Sequence, residues 1–566
     1  MKRTLFVRHA LAIAVAATAF SSTNATGQAL EEIIVTAQFT ETNLQSTPIA
    51  ITALTANELD ARSFTNIADV AKIAPNVAFE KSASGYGNAV SAYIRGIGQY
   101  DFQTAFEPGV GMYIDDVYHG TLYGSSFDLL DLERVEILRG PQGTLFGKNS
   151  IGGAVRLITQ KPAGTNTGYI EATFGESGRM DFRGSFDASL IDDVLYARVS
   201  ALSKSRDGYV DRIDYACANP GQPSQFPSQK VAGGDCKLGT LGGEDVKAGR
   251  VALRWIASDK LEIDLAADWT KDNSETAADT LIYADGSLLD PAIQQSFIDN
   301  FGLPWDDRFI PRDKFATYSN FTNPFTGEQF DPHSTLDAWS VSAVVNYELA
   351  DNMGLKGIIA YKTYEGDFTA DSDGSPLVIQ NVYNTVEQEQ LSIELQLSGS
   401  HFNERLDWTT GIYYYESEDE LGGHVVIYPV GSDFFNNDTN EVENLSLFGH
   451  AVWEFTDSLR GTIGLRYTDE TKDYSLDHGP GNAAQVSADE KRVDWRVGLD
   501  YQISYSAMVY ASAATGYRSA SFNPRPFIAS QVNSIPPEEV TAYELGLKND
   551  WFDNRLRINS AIFFSD

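Results

Sequence analysis

Few residues in this chain are spaced for covalent chemistry. Residues 143–150, Gly143-Thr144-Leu145-Phe146-Gly147-Lys148-Asn149-Ser150, carry the glycines and lysine of a phosphate-cradling loop. Only three residues separate Gly143 from Gly147, and Asn149 stands where Ser or Thr would have to hold Mg²⁺. Nucleotide binding is not expected. Asp115 and Asp116 are adjacent carboxylates between Ile114 and Val117. Neighbours on a strand point to opposite faces, so the pair reads as a tight turn rather than a joint acid–base or metal site. The seven histidines are scattered without a His-x-x-x-His pair, and no Gly-x-Ser-x-Gly elbow occurs. The sequence offers no catalytic constellation, metal set or cofactor motif, and an enzyme is not expected.

Two other features carry binding chemistry. Cys217 and Cys236 are the only cysteines, both within one polar stretch rich in Pro, Gly, Ser and Gln. In an oxidising compartment they are expected to close a loop, worth roughly 3 kcal/mol by chain entropy; two free thiols are the alternative. The second feature is Glu31-Glu32-Ile33-Ile34-Val35-Thr36-Ala37-Gln38. Its core is β-branched and lacks Gly and Pro, so it reads as a short free strand. A bare strand near a flexible N-terminus is what a partner's sheet edge captures through main-chain hydrogen bonds. The alternative is the first strand of an ordinary domain.

Composition sets the compartment. The 566 residues include 42 Lys+Arg against 78 Asp+Glu, a net charge of −36, which argues against nucleic acid as a partner. Residues 1–29 read as a secretory signal. Lys2, Arg3 and Arg8 open it, residues 10–20 form its apolar core, and small residues follow, with cleavage expected between Ala25 and Ala29. No run of about 18 apolar residues is present, so no helix is expected to span a membrane.

The elements that position these residues fall into two parts. Residues 46–162 read as a small α+β domain. Strands are expected near 48–54, 89–94, 111–114, 132–138 and 154–159. Thr55-Ala56-Asn57-Glu58 has capping-box spacing, and Ile67, Val70, Ala71 and Ala74 share a helical face that ends at Pro75. From Gly168 the period becomes two. Leu261, Ile263, Leu265, Ala267 and Trp269 alternate with more polar neighbours, as do Leu391–Leu397 positions and Val493, Trp495, Val497, Leu499 and Tyr501. One apolar face over roughly ten residues is enough to cross a bilayer as a tilted strand. Connections are lopsided: tight turns at 258–260, 350–352, 456–457 and 504–506, and long polar loops at 205–244, 272–334 and 367–384. A soluble sandwich has shorter strands and short connections at both ends. The asymmetry, with 12% aromatic residues for interfacial girdles, marks an outer-membrane barrel, with about fifteen strands legible.

Several stretches resemble the TonB-dependent outer-membrane receptors. Residues 32–37 are similar to the family's TonB box. Tyr93-Ile94-Arg95-Gly96, Val110-Gly111-Met112-Tyr113-Ile114-Asp115-Asp116-Val117 and Glu133-Arg134-Val135-Glu136-Ile137-Leu138-Arg139-Gly140-Pro141-Gln142-Gly143, running on through Gly147, Gly152 and Gly153, resemble its plug domain in family order. Residues 537–548 and 510–518 resemble barrel strands. The resemblance covers 31–160 and 440–566 by motif, and 168–440 by pattern.

The resemblance implies a mainly β fold: a transmembrane antiparallel β-barrel filled by an N-terminal α+β plug. The expected layout is signal peptide 1–29, TonB box and linker 30–45, plug 46–162 and barrel 168–566. The family barrel has about 22 strands, so the sequence is expected to be C-terminally truncated; a complete smaller barrel is the alternative. Glu32, Ile33, Ile34, Val35, Thr36 and Ala37 are implied to bind TonB, itself driven by an inner-membrane energising complex. Arg95 and Arg139 match plug positions that pair with barrel glutamates, and Glu544 matches one such glutamate. Its neighbours Tyr543, Leu545 and Leu547 should face lipid, which turns Glu544 to the lumen. The family's second glutamate has no counterpart near Thr515-Gly516. The implied function is energised uptake of a scarce nutrient, an iron–siderophore complex first, with a carbohydrate or other organic ligand as the alternative. A passive porin or surface adhesin is the reading from another class; neither needs a box or a plug.

Overall fold

The computed structural model describes residues 30, 32–36, 42–81, 87–124 and 130–566. The expected signal peptide, Glu31 and Ala37 lie outside the described residues.

The N-terminal domain is built on a five-stranded sheet. Its order is Ile51–Thr55, Leu132–Arg139, Gly153–Thr159, Val110–Ile114, Val117–His119, with the third and fourth strands parallel. Val77–Lys81, Val90–Ile94 and Ile97–Gln99 form a second, three-stranded sheet. Helix Ala56–Ala61 starts on the capping box expected from the sequence, Thr55 with Glu58. Helix Ile67–Ala71 has a second box, Asn66 with Asp69, whose Asp at the third position falls outside the usual Glu/Gln pattern. Leu54, Leu59, Ile67, Val70, Ile94, Val135, Ile137 and Val155 pack between helices and sheets.

The remainder is one 15-stranded antiparallel sheet running from Gly168–Phe174 to Leu556–Ser565, each strand beside the next wall strand. Its parity follows the sequence. Leu265, Trp269, Val493, Val497, Leu499, Tyr543, Leu545 and Leu547 are exposed on the outer face. Gln390, Gln396, Thr468, Glu470, Asp494, Arg496 and Lys548 are buried on the inner face, against the N-terminal domain. Grease outward and polarity inward is the pattern of a lipid-embedded wall.

Strand length departs from expectation. Gln380–His401, Leu406–Ile427, Ser432–Thr456 and Ala483–Ser504 run 22, 22, 25 and 22 residues, about twice a bilayer crossing. The ladder continues beyond the apolar band because antiparallel pairing satisfies the backbone wherever the neighbour also extends. The loop expected at 367–384 therefore shrinks to the eight residues between Met353–Asp371 and Gln380–His401. The two longer loops fold. Val210–Ile213 pairs with Lys237–Leu241 and Ala316–Thr317. Helix Pro291–Phe301 is capped by Asp290 and ends on Gly302. Cys217 and Cys236 are bonded to each other, with Cα atoms 5.6 Å apart.

Candidate functional site: the docked N-terminal strand and the plug–wall seam

The stretch read as a free strand is docked. Ile34–Val35 pairs antiparallel with Thr42–Asn43, and Leu44 N donates to Ile33 O at 2.8 Å. Alternation sends Ile33 and Val35 into a cluster with Leu44, Ile49, Tyr113, Phe146 and Tyr415, while Ile34 stays 43% exposed. Glu32 accepts from Asn43 Nδ2. Thr36 sits in a charged socket. Its N–H donates to Glu136 Oε1 at 3.1 Å, and its Oγ1 accepts from Arg134 Nη2 at 3.1 Å and Arg156 Nη1 at 2.7 Å. The β-branched run that suits a partner's edge also suits this pocket, which is why its apolar side chains are not left in water.

From the socket, contacts lead to the wall. Glu136, fully buried, binds Arg134 at 2.8 Å and Arg156 at 2.7 Å. Arg156 also pairs with Asp116. Asp115 and Asp116 form the two-residue turn expected of them, with φ of 47° and 70° between Val110–Ile114 and Val117–His119. Both carboxylates then reach the wall: Asp115 pairs with Arg250, and Asp116 with Lys356 at 2.7 Å. Burial works against a charge on Asp116, but Lys356 and Arg156 outweigh it and hold its carboxyl well below the usual carboxylate range.

The structure brings Arg95 and Glu544 together as a buried ion pair. Glu544 Oε1 also accepts from Ala50 N at 3.2 Å and Tyr510 Oη at 2.6 Å. Arg139 makes no ion pair with Glu544 among the described residues; its Nη1 donates to Pro75 O at 3.2 Å. Burial first, then the charge of Arg95, pushes the Arg139 pKa down. Gly140, at φ +90°, lies where a methyl group would come within 2.7 Å of Arg95 Nη1. Gly143 abuts the wall, where a methyl would meet Thr515 O at 2.9 Å. Pro141 and Gly147 touch the wall beside Gly516 and Arg466, Gly152 and Gly153 pack within the domain, and Gly96 turns the chain at φ +82°.

The phosphate-loop look-alike has another use. Lys148 lies 3.1 Å from Glu470 and 3.8 Å from Glu107. Burial opposes its charge, yet the two carboxylates hold its pKa above the usual ammonium range. Lys472 pairs with Glu107 from the wall, and Asn149 donates to Glu107 and to Tyr118 Oη. Two acids and two bases thus alternate across the seam. Asp131 with Arg198 at 2.6 Å is a further seam pair. Arg460, Arg496 and Lys548 donate to the carbonyls of Ser46, Pro48 and Leu44. Sequence reading missed all of these. The parity that turned Glu544 inward applies equally to Glu470 and Lys472, and would have nominated them.

A domain packed on the inner face of an outward-apolar wall and tied to it by buried charges is the architecture of a plugged membrane β-barrel. A family profile described as TonB dependent receptor-like, beta-barrel, matches residues 268–566, and the TonB-dependent Receptor Plug Domain matches 43–154. The chain belongs to the TonB-dependent receptors: outer-membrane proteins that transport and are not enzymes. It is 23% identical to the pesticin receptor of Yersinia pestis over 528 residues, 91% of this chain and 67% of that protein. It is 22% identical to the ferrioxamine B receptor of Salmonella typhimurium over 540 residues, 91% and 67% of the two chains. The crystal structure of the ferric yersiniabactin uptake receptor from Yersinia pestis superposes with a TM-score of 0.72 at 20% identity, covering 92% of this chain and 72% of that one. At such identities the likeness speaks for the fold. The chain spans about two thirds of the length of these curated relatives.

Proposed function

We propose that this receptor takes up an iron–siderophore complex, and that TonB engages residues 32–37 from the periplasm to drive it. The siderophore part is supported by relatives named for such cargo, the ferrioxamine B receptor and the ferric yersiniabactin uptake receptor, and the TonB part by the Thr36 socket. A strand edge suited to capture is held by three side-chain hydrogen bonds on a charge cluster that continues to the wall at Lys356 and Arg250. Capture by TonB means trading the Thr42–Asn43 pairing for the partner's edge. Drawing Thr36 away then removes an acceptor from Arg134 and Arg156 and a donor from Glu136. These groups are buried, so losing partners costs on the order of 1–3 kcal/mol each. That penalty weakens the hold on the Asp115-Asp116 turn and loosens the plug where it meets the wall.

Val35→Pro tests the reading. Proline removes the N–H that either edge pairing needs. Cells whose only receptor is this variant should bind a ferric siderophore at the surface as before and fail to accumulate it. Accumulation at the unmodified rate would refute TonB engagement at this stretch.

A further inference from the structure

Leu44 joins the docked strand to the wall. Its N–H donates to Ile33 O at 2.8 Å, and its carbonyl accepts from Lys548 Nζ at 2.7 Å. Leu44–Ser46 is a single 3-10 turn capped by Asn43, and it lies against Ala507–Arg518 and Glu538–Trp551. So short a turn satisfies little of its own backbone. The wall supplies partners at every second residue. Arg460 Nη2 donates to Ser46 O at 2.8 Å, Arg496 Nη2 donates to Pro48 O at 3.2 Å, and Ala50 N–H donates to Glu544 Oε1 at 3.2 Å.

The cations are unevenly matched. Lys548 and Arg496 are 2% and 6% exposed. A cation buried that deeply ordinarily sits against a carboxylate. Arg460 does, with Asp500 at 2.7 Å. Lys548 and Arg496 make no ion pair among the described residues, and each donates to a linker carbonyl instead. A carbonyl holds a cation without carrying a full charge, so the linker can leave without stranding an anion. These contacts are to main chain, so they fix the path of the linker whatever its side chains are.

We propose that Lys548 and Arg496 are positioning residues that strap residues 44–50 to the wall and thereby keep the TonB-engaging stretch masked at rest. The strap is a separate hold from the Thr36 socket, and its purpose rests on the TonB reading. While the strap is closed, Leu44 keeps Ile33 paired and the stretch stays in its pocket. Once it opens, the stretch spends more time free, and a partner's apparent affinity rises with the free fraction. Glu544 closes the strap at Ala50 and also grips Arg95, so the strap ends on the ion pair that ties the plug.

The unaltered receptor, purified in detergent, is compared with two double variants. Lys548→Met with Arg496→Met removes both donors; Lys548→Arg with Arg496→Lys keeps them. Hydrogen exchange is followed in peptides covering 42–50 and 153–159, and the purified periplasmic domain of TonB is titrated onto each form. With both donors removed, exchange over 42–50 should quicken about tenfold while the buried plug strand at 153–159 stays protected. TonB should then bind at least about fivefold tighter. The variant that keeps the donors should match the unaltered receptor in both readouts. Unchanged exchange over 42–50, equal quickening over 153–159, or an unchanged TonB affinity would overturn the proposal. TonB binding that is absent from every form, or indifferent to Val35→Pro, is instead failure of the TonB reading, and exchange over 42–50 still decides whether the strap exists.

Discussion

His119 carries its ring into the seam between plug and wall, where Lys362 Nζ lies 2.7 Å from its Nδ1. Burial disfavours a second charge beside the Lys362 amino group, so the ring is held neutral. Burial first, and then the Lys362 charge, push the imidazole pKa well below its ordinary value. The linkage sign follows. Below about pH 6.5 the unfolded chain takes a proton at this site that the folded one refuses, so stability falls as pH drops, by up to about 1.4 kcal/mol per pH unit. In denaturant titrations at pH 7.5, 6.5 and 5.5, His119→Gln should show a shallower decline below pH 6.5 than the unaltered receptor. Parallel profiles would show that His119 is not the group responsible. Asp116 contributes with the same sign but is silent in that window. Its depressed carboxyl keeps its charge, so the Lys356 pair persists through mild acid and is lost only as pH falls below the ordinary carboxylate range.

At the scale of elements, the docked pair Ile34–Val35 with Thr42–Asn43 is two residues long, too short to hold itself. Side chains must hold it, and Thr36 contributes the polar part. Thr36→Val keeps the shape and deletes the hydroxyl that Arg134 and Arg156 share. A spin label at exposed position 34 should report a larger mobile fraction in that variant, and an unchanged spectrum would assign the docking to Ile33 and Val35 instead. The sequence made the strand legible but not its docking, because period and β-branching describe what a segment can pair with and not which edge is nearest. Wall strands were legible for the same reason they work: one face must meet lipid, so alternation is enforced residue by residue. Their upper halves escaped because above the bilayer both faces are wet and alternation lapses, as in Asn436-Asn437-Asp438. The Arg95–Glu544 pair was nominated by motif and parity together. The Lys148, Glu107, Glu470 and Lys472 group was not, since its plug and wall members lie more than 320 residues apart and nothing local couples them.

For the molecule as a whole, the question is what keeps a cork in a wall and still lets it yield. The seam pairs divide by exposure. Asp60 with Arg183 and Asp101 with Arg525 are partly open to water, with Asp60 62% exposed, and such pairs contribute little and are screened by salt. Lys472, Glu107, Lys148 and Glu470 are between 1% and 7% exposed, where salt does not reach. Raising NaCl to about 1 M, a screening length near 3 Å, should therefore leave the plug as resistant to protease as before. Removing both cations, Lys148→Met with Lys472→Met, leaves Glu107 and Glu470 buried and unpaired, and breaking a buried pair from one side costs about 3–5 kcal/mol. Limited proteolysis should then cut the plug while the wall stays folded. Adding Glu107→Gln and Glu470→Gln to that variant should restore much of the resistance, because the penalty lies in stranded charge and not in lost attraction. Full resistance in the double variant, or a plug released by salt alone, would mean that apolar packing or the exposed pairs hold the cork instead. The distinction bears on transport. A seam held by buried charge is stiff until one member is withdrawn and weak afterwards, which suits the proposed release of the plug by a pull on Thr36.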